Sequence, residues 1–201
     1  MGMTTEIVEK QKSSTVQFEI AELIKSRKST RAFLTTAIEP EKIQSLFEAA
    51  RWSASSMNEQ PWHYLYVTRD QTSLWEKFFN ILNDGNKVWV ENVPLLIFSV
   101  SRKSFKRFNA PNAYALYDLG AANTSIALQA VALGLQVRQM AGYDHDKARQ
   151  VLNIPDEFDL GVMLAVGYPA PADALPEPVR AKELAARERY VQEAFIKNGI
   201  F

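Results

Sequence analysis

Hydrophobic residues recur along this chain at two spacings, three or four positions apart in some segments and in short unbroken runs in others. The first spacing is typical of amphipathic helices and the second of buried strands. Helices are predicted over residues 17–26, 40–52, 72–82 and 145–152. Strands are predicted over residues 64–68, 94–100, 135–141 and 160–166. Asp84-Gly85-Asn86 is expected to break the third helix, and no segment has the composition of a linker.

A run without charged residues extends from Leu119 to Val137. It is almost long enough for a transmembrane helix, but it contains five Asn, Gln, Ser or Thr residues and is rich in Ala and Gly. Small residues let a second helix approach closely, so the run predicts a buried helix over about residues 113–134 at the centre of a dimer. Gly134 is well placed to end this helix.

Composition narrows the classes of function. The chain has 201 residues, 47% of them hydrophobic, which is enough for one large domain or two small ones. Lys and Arg total 23, as do Asp and Glu, so no net field attracts nucleic acid or an anionic membrane. Cysteine is absent and only His63 and His145 are present, which argues against a metal site, a thiolate nucleophile or a histidine triad. No apolar signal core follows Met1, and we expect a cytoplasmic protein.

Three polar segments stand out between the predicted elements. Arg27–Phe33 is a basic turn followed by an aromatic residue, and Ser53–Trp62 is a polar turn that ends at Pro-Trp. Arg187-Glu188-Arg189 lies near the end of the chain. Taken alone, a basic run is typical of a solvated helix end, and a Ser-rich turn is typical of a helix cap.

The order of these segments resembles the nitroreductase family of FMN-dependent oxidoreductases. Three later segments extend the resemblance, which runs from about residue 17 to about residue 195: Ala115–Ala122, Ala132–Leu135 and Gly167–Pro169. It implies an α+β fold of three layers, with helices flanking a central mixed, largely antiparallel sheet, and an intertwined homodimer. Residues 1–16 would be an N-terminal extension, and residues 17–201 a single domain whose arm, about residues 169–201, embraces the partner subunit.

The resemblance also implies a cofactor site shared between two subunits. One group of residues would hold the FMN phosphate, and a turn from the other subunit would contact the flavin. The residues that would hold the phosphate are Arg27, Lys28, Ser29, Arg31, Arg187 and Arg189. The residues of the turn are Ala54, Ser55, Ser56 and Asn58. Asn86 would bond the pyrimidine side of the ring, and Ala141 and Gly142 would approach its reactive nitrogen. A glycine after a strand is equally typical of an ordinary turn.

Four positions depart from the family pattern. Ala54 stands where proline is common, and Ala186 and Tyr190 replace the residues that commonly surround the late basic motif. Ala141 stands where some relatives carry glutamate, so backbone contact with the flavin must suffice there.

The activity implied by the resemblance is that of an oxidoreductase in which the flavin is the redox centre and no side chain is catalytic. NADH or NADPH would reduce FMN, and a nitroaromatic, quinone or related electrophile would reoxidise it by a ping-pong hydride mechanism. No GxGxxG or P-loop pattern occurs, so the nicotinamide donor would bind without a domain of its own. The cationic loop of residues 102–108 would either rim the pocket or be a solvated surface loop.

Two alternatives stay open from the sequence. The same scaffold could carry another flavin reaction, such as enone reduction, dehalogenation or oxidation, because loops shape the acceptor pocket. The chain could instead be non-catalytic, as a flavin sensor or storage protein or as a helical dimerisation domain. In each case we expect a homodimer and small-molecule ligands, and no nucleic-acid or membrane partner.

Overall fold

The computed structural model describes residues 12–200, which form one central sheet, helices on both of its faces, and several short peripheral elements. The helices are α1 (Glu22–Ser26), α2 (Pro40–Arg51), α3 (Thr72–Ile81), α4 (Asp84–Val90), α5 (Ala115–Ala132), α6 (His145–Val151) and α7 (Val179–Leu184). The strands are β1 (Lys12–Ser13), β2 (Trp62–Thr68), β3 (Leu95–Arg102), β4 (Ser104–Phe105), β5 (Ala110–Pro111), β6 (Gln136–Met140), β7 (Phe158–Gly167) and β8 (Arg189–Tyr190).

The central sheet has the strand order β2-β3-β7-β6. Strand β3 is buried along nearly its whole length, which explains its almost continuous apolar sequence. Its alternate side chains face two different cores: Leu96 and Phe98 belong to one, and Leu95 and Ile97 to the other. The sheet therefore separates two hydrophobic cores.

Helices cover both faces of the sheet. Phe78 of α3, Trp89 of α4 and Ala148 of α6 belong to one core, whereas Leu46 of α2 and Ile126 of α5 belong to the other. This arrangement of helices, sheet and helices confirms the predicted three-layer α+β fold.

All strand pairs of the central sheet in the described part of the chain are antiparallel. The expected mixed sheet would have included some parallel pairing. Strands β2 and β3 are joined through α3 and α4, and β6 and β7 through α6. Each of these connections returns the chain to the sheet at the end where it left, and neighbouring strands consequently run in opposite directions.

The helix predicted over residues 72–82 is confirmed as α3, which ends at Ile81, before Asp84-Gly85-Asn86. These three residues also begin a further helix, α4, which was not predicted; Asn83 Oδ1 accepts the Asn86 amide at 3.1 Å and caps it. The helix predicted over residues 17–26 begins only at Glu22, and its apolar Leu23 and Ile24 are exposed. The apolar spacing of that segment therefore does not mark a face that packs on the subunit's own core.

The charge-poor run forms α5, slightly shorter than the predicted range. One side of α5 is buried against the sheet, and the opposite side exposes Leu116 and Tyr117. The prediction that Gly134 ends the helix is confirmed: its φ is 75°, and the Leu135 amide donates to the Ala130 carbonyl oxygen at 2.8 Å. Across residues 12–200, no helix has both the length and the apolar character needed to cross a bilayer.

The two ends of the chain pair with each other. Strand β1 runs antiparallel to β8, with Lys12 opposite Tyr190 and Ser13 opposite Arg189. The predicted N-terminal extension, residues 1–16, lies outside the described residues except for its last five positions. The pairing brings the end of the arm to the segment that precedes α1.

Candidate functional site

Three arginines from the two ends of the chain line one cleft of about 650 Å³. Arg27 follows α1, Arg187 precedes β8, and Arg189 is the first residue of β8. Arg187 donates to the carbonyl oxygens of Lys25 at 2.9 Å and of Arg27 at 2.5 Å, which attaches the arm to the end of α1. Lys28, Ser29 and Arg31 line the same cleft, so the structure brings all six predicted phosphate residues together.

The electrostatics of this arginine cleft favour an anion. The pKa of Arg27 is lowered first by burial and then by the charges of Arg187 and Arg189. Among residues 12–200, none of these three guanidinium groups forms an ion pair with a carboxylate. Guanidinium groups match phosphate and carboxylate oxygens with pairs of parallel hydrogen bonds. A bound anion would offset the mutual repulsion of the three cations.

Strand β6 holds the backbone of Lys28 and Ser29, which line the cleft. Gln136 Oε1 accepts the Lys28 amide at 2.9 Å, and Arg138 donates to the Ser29 carbonyl oxygen at 2.5 Å. Burial lowers the pKa of Arg138, whose guanidinium lies 5.5 Å from the ring centroid of Trp89. These contacts fix the backbone from which the Lys28 and Ser29 side chains extend.

The arm holds the same segment from the other side through Glu183 of α7. Its carboxylate accepts the Arg31 amide at 2.9 Å and also the hydroxyl of buried Thr30. The Arg31 guanidinium lies 3.7 Å from the same carboxylate. Arg31 is therefore partly neutralised, and the unpaired positive charge of the cleft is concentrated on the other cations.

The polar turn of residues 54–58 lies elsewhere on the subunit. It contains a short 3-10 turn, Ser56–Asn58, and the backbone is left-handed at Met57 (φ 53°) and Asn58 (φ 55°). The Ser56 amide donates to the buried carboxylate of Asp118 at 3.0 Å. Ala54, Ser55 and Ser56 line a cavity of about 360 Å³ together with Tyr114, Tyr117, Asp118 and Ala121 of the α5 region.

The cavity at the turn and the arginine cleft share no lining residue. Helix α5 nevertheless reaches the surroundings of both. Thr124 and Ala127 of α5 line a small cavity of about 250 Å³ that also includes Arg27 and Ser29 of the cleft. One helix thus contributes to the turn cavity at its N-terminal end and to the edge of the arginine cleft near its middle.

The predicted ring contacts Asn86 and Gly142 lie against each other. Asn86 Nδ2 donates to the Gly142 carbonyl oxygen at 2.9 Å, and the Asn83 amide donates to it at 3.2 Å. A Cβ at Gly142 would lie 2.4 Å from Asn83 Nδ2, so this glycine permits the close approach of the α4 N-terminus. Ala141 beside it is exposed.

Neither histidine has surroundings typical of a metal or proton-transfer site. Desolvation lowers the pKa of His63, whose Nδ1 lies 3.1 Å from the Pro61 carbonyl oxygen, and its ring packs edge-on against Phe158. His145 stacks on Tyr143. In the part of the chain that the structure covers, residues 12–200, no cluster of three potential metal ligands occurs.

The cationic loop of residues 102–108 is partly folded as the hairpin of β4 and β5. The Lys106 amide donates to Glu59 Oε1 at 2.8 Å, so this hairpin packs against the turn. Arg102 pairs with Glu157 at 3.2 Å, and the Lys103 ammonium donates to the Asp156 carbonyl oxygen at 2.6 Å. The two first cations of the loop are therefore engaged within the subunit.

Sequence reasoning missed the polar residues that hold the site in place: Gln136, Arg138, Glu183 and Asp118. Only Asp118 carries a signal that could have revealed it, because it is the one charged residue of an otherwise apolar or polar helix. A lone buried carboxylate in such a helix requires a hydrogen-bond donor from another element.

The chain matches the model described as the nitroreductase family over residues 24–88 and 70–168. A protein of Archaeoglobus fulgidus, provisionally named NADH dehydrogenase/NAD(P)H nitroreductase, is 26% identical over 155 residues, which cover 75% of this chain and 86% of the relative.

Two solved structures show the same similarity. A structure described as an oxidoreductase containing FMN has a TM-score of 0.88 at 29% identity, with 93% of this chain and 95% of that chain covered. A nitroreductase family protein from Clostridium novyi NT has a TM-score of 0.65 at 25% identity, with 79% and 89% covered.

Replacing Glu183 with Ala should release the arm from the arginine cleft. A hydrogen bond to a charged group contributes about 1.5–3 kcal/mol, and Glu183 makes more than one, so arm opening should become at least about tenfold more frequent. Trypsin cleavage at Arg187 and Arg189 under native conditions would report the opening.

Glu193→Ala is the matched control, because Glu193 is an exposed acid of the same arm that lies away from both cleavage sites and whose side chain forms no ion pair within residues 12–200. Its cleavage rate should equal that of the parent. Equal rates for Glu183→Ala and the parent would show that the arm is held by other contacts.

Proposed function

This chain belongs to the nitroreductase family, and on that premise we propose that it is a homodimeric FMN-dependent oxidoreductase. It would use NADH or NADPH to reduce nitroaromatic, quinone or related electrophilic acceptors. Support comes from a 29% identical structure described as an oxidoreductase containing FMN, and from a relative whose name includes NAD(P)H nitroreductase.

The unpaired arginine cluster is the observation that carries the proposal. Arg27, Arg187 and Arg189 lie in one cleft and lack carboxylate partners among residues 12–200. Burial, and then the charges of Arg187 and Arg189, lower the pKa of Arg27. FMN ends in a phosphate dianion, which needs several such donors. The cluster therefore fits the phosphate, with the Lys28 ammonium and the Ser29 hydroxyl as further donors.

The remaining predicted contacts would orient the flavin ring. When bound, FMN would supply the redox chemistry by accepting a hydride from the nicotinamide donor and passing it to the acceptor. The chain's own groups would hold the ring: Asn86 beside its pyrimidine side, and the backbone of Ala141 and Gly142 beside its reactive nitrogen. Ala141 is exposed, which leaves its backbone open to a ligand.

A homodimer would bring the turn of residues 54–58 to the arginine cleft of the partner. Within a subunit the two share no lining residue, and the α5 region between them exposes large apolar side chains. Tyr114, Leu116 and Tyr117 are 50–79% exposed. Such a patch is typical of an interface between subunits. A folded monomer that retains FMN in sedimentation at low micromolar concentration would contradict this arrangement.

Loss of single arginines should weaken FMN binding. Arg27→Ala and Arg189→Ala should each raise the FMN dissociation constant about ten- to a hundredfold, because each removes charge-assisted hydrogen bonds worth about 1.5–3 kcal/mol. Arg187 is a poorer test, since it also binds two backbone carbonyl groups of the subunit. Fluorescence titration of apoprotein with FMN measures the constants.

Arg180→Ala is the control for charge, because Arg180 lies in the same arm and pairs with Asp173 and Glu177 outside the cleft. It should leave the FMN constant unchanged. Riboflavin, which lacks the phosphate, should bind the parent weakly and respond little to any of the variants. Parent-like FMN affinity in both Arg27→Ala and Arg189→Ala would refute the phosphate assignment.

Donor and acceptor should react in turn at one pocket. Anaerobic NADH or NADPH should bleach the yellow absorbance of the purified protein, and a quinone or nitroarene should restore it. Initial rates at several acceptor concentrations should give parallel double-reciprocal lines. If dithionite bleaches the protein but neither nicotinamide does, the reductase proposal fails and a sensor, a storage protein or another flavin reaction is favoured.

A further inference from the structure

Asp118 is a buried carboxylate in an unusual place. It is the one charged residue of α5 and is only 3% exposed. Among residues 12–200, no Lys, Arg or His forms an ion pair with it. Burial of an unpaired carboxylate is costly, and the cost is reduced here by the first turn of a helix and by one hydrogen bond. That bond, at 3.0 Å, comes from the backbone amide of Ser56.

The turn that Asp118 binds has a strained backbone. Met57, Asn58 and Gln60 have φ values of 53°, 55° and 54°, in the left-handed region that favours glycine, and none of them is glycine. Such conformations persist only where surrounding contacts hold them, and they cluster at functional sites. The turn therefore needs an external anchor.

Several bonds hold the turn, but they differ in what they fix. Gln60 donates its amide to Ser55 Oγ at 3.0 Å, which closes the turn on itself. The Ser53 and Ser125 hydroxyls, 2.6 Å apart, attach the residue before the turn to α5. Asp118 alone among these groups is a charged side chain, and it binds the middle of the turn, next to the strained residues.

The same helix also borders the arginine cleft. Thr124 and Ala127 share a cavity with Arg27. Because the turn and the edge of the cleft both contact α5, this helix fixes their positions relative to each other. In a dimer centred on α5, this relation would extend to the cleft of the partner.

We propose that Asp118 is a positioning residue that fixes residues 54–58 in the conformation that contacts the flavin. The inference rests on the proposed function, because the flavin contact of the turn is part of that proposal. Asp118 acts by accepting the Ser56 amide, which fixes the backbone from which the side chains of Ser55, Ser56 and Asn58 extend. In this proposal the flavin contacts are made by the turn, and Asp118 acts only through it.

The structure supplies a matched control for the stability of α5. Buried Ser101 donates its hydroxyl to the Ala115 carbonyl oxygen at 2.8 Å, which attaches the first turn of the same helix to the sheet. Ser101→Ala removes one buried hydrogen bond of α5, as Asp118→Ala does, but leaves the turn untouched.

The test compares FMN affinity and Ser56 amide exchange in four dimeric proteins: the parent, Asp118→Ala, Asp118→Asn and Ser101→Ala. Asp118→Ala should raise the FMN dissociation constant about tenfold or more and speed exchange at Ser56. Asp118→Asn keeps an oxygen acceptor without the charge and should give intermediate values. Ser101→Ala should lower the melting temperature while leaving FMN affinity and Ser56 exchange at parent values.

Two results would overturn the inference. One is an FMN dissociation constant of Asp118→Ala within twofold of the parent, and the other is equal effects of Asp118→Ala and Ser101→Ala. If Asp118→Ala does not fold, Asp118→Asn becomes the test. It must then show both faster Ser56 exchange and weaker FMN binding than the parent, and parent-like values would overturn the inference. A parent protein that binds no FMN would instead refute the proposed function.

Discussion

The mutual repulsion of Arg27, Arg187 and Arg189 is the constraint on which the arrangement of the site depends. Arg27 is half-buried, and the charges of the exposed Arg187 and Arg189 beside it oppose its own positive charge, even though the whole chain carries equal numbers of acidic and basic residues. The fold tolerates the cluster because backbone carbonyl groups accept Arg187 and because Glu183 neutralises the neighbouring Arg31. An arrangement that opposes stability in this way is typical of a site that has an anionic ligand.

The packed scaffold and the candidate ligand contacts lie in different parts of the molecule. Two hydrophobic cores form where helices pack on strands β3 and β7. The candidate ligand contacts lie instead on loops, helix ends and the arm. The connection between them runs through a few polar side chains of the scaffold. Gln136 and Arg138 of β6 hold the basic segment, and Asp118 of α5 holds the polar turn. The scaffold thereby sets the geometry of groups that are themselves exposed.

Much of this could be predicted from the sequence, and the exceptions have physical causes. All four strands of the main sheet were predicted, but only β3 is buried along nearly its whole length and reads as an unbroken apolar run. The edge strands β2 and β6 include exposed and half-buried positions. The helix that begins at Asp84-Gly85-Asn86 was not predicted, because residues that favour turns also begin helices. Asn83 supplies the cap of this helix. Glu183 could not be assigned, because its partners Thr30 and Arg31 lie about 150 residues earlier and only the tertiary fold brings them together.

The pairing of the two chain ends has a consequence for the order in which the protein is made. Arg187 binds the Arg27 carbonyl group across 160 residues of chain, and Arg189 lies two residues further on. Synthesis proceeds from the N-terminus, so the entire sheet and its helices emerge before the second and third arginines. An anion that requires all three is held only after the chain from Arg27 to Arg189 has left the ribosome. Capture of the ligand would therefore distinguish chains that include Arg187 and Arg189 from chains that stop before them.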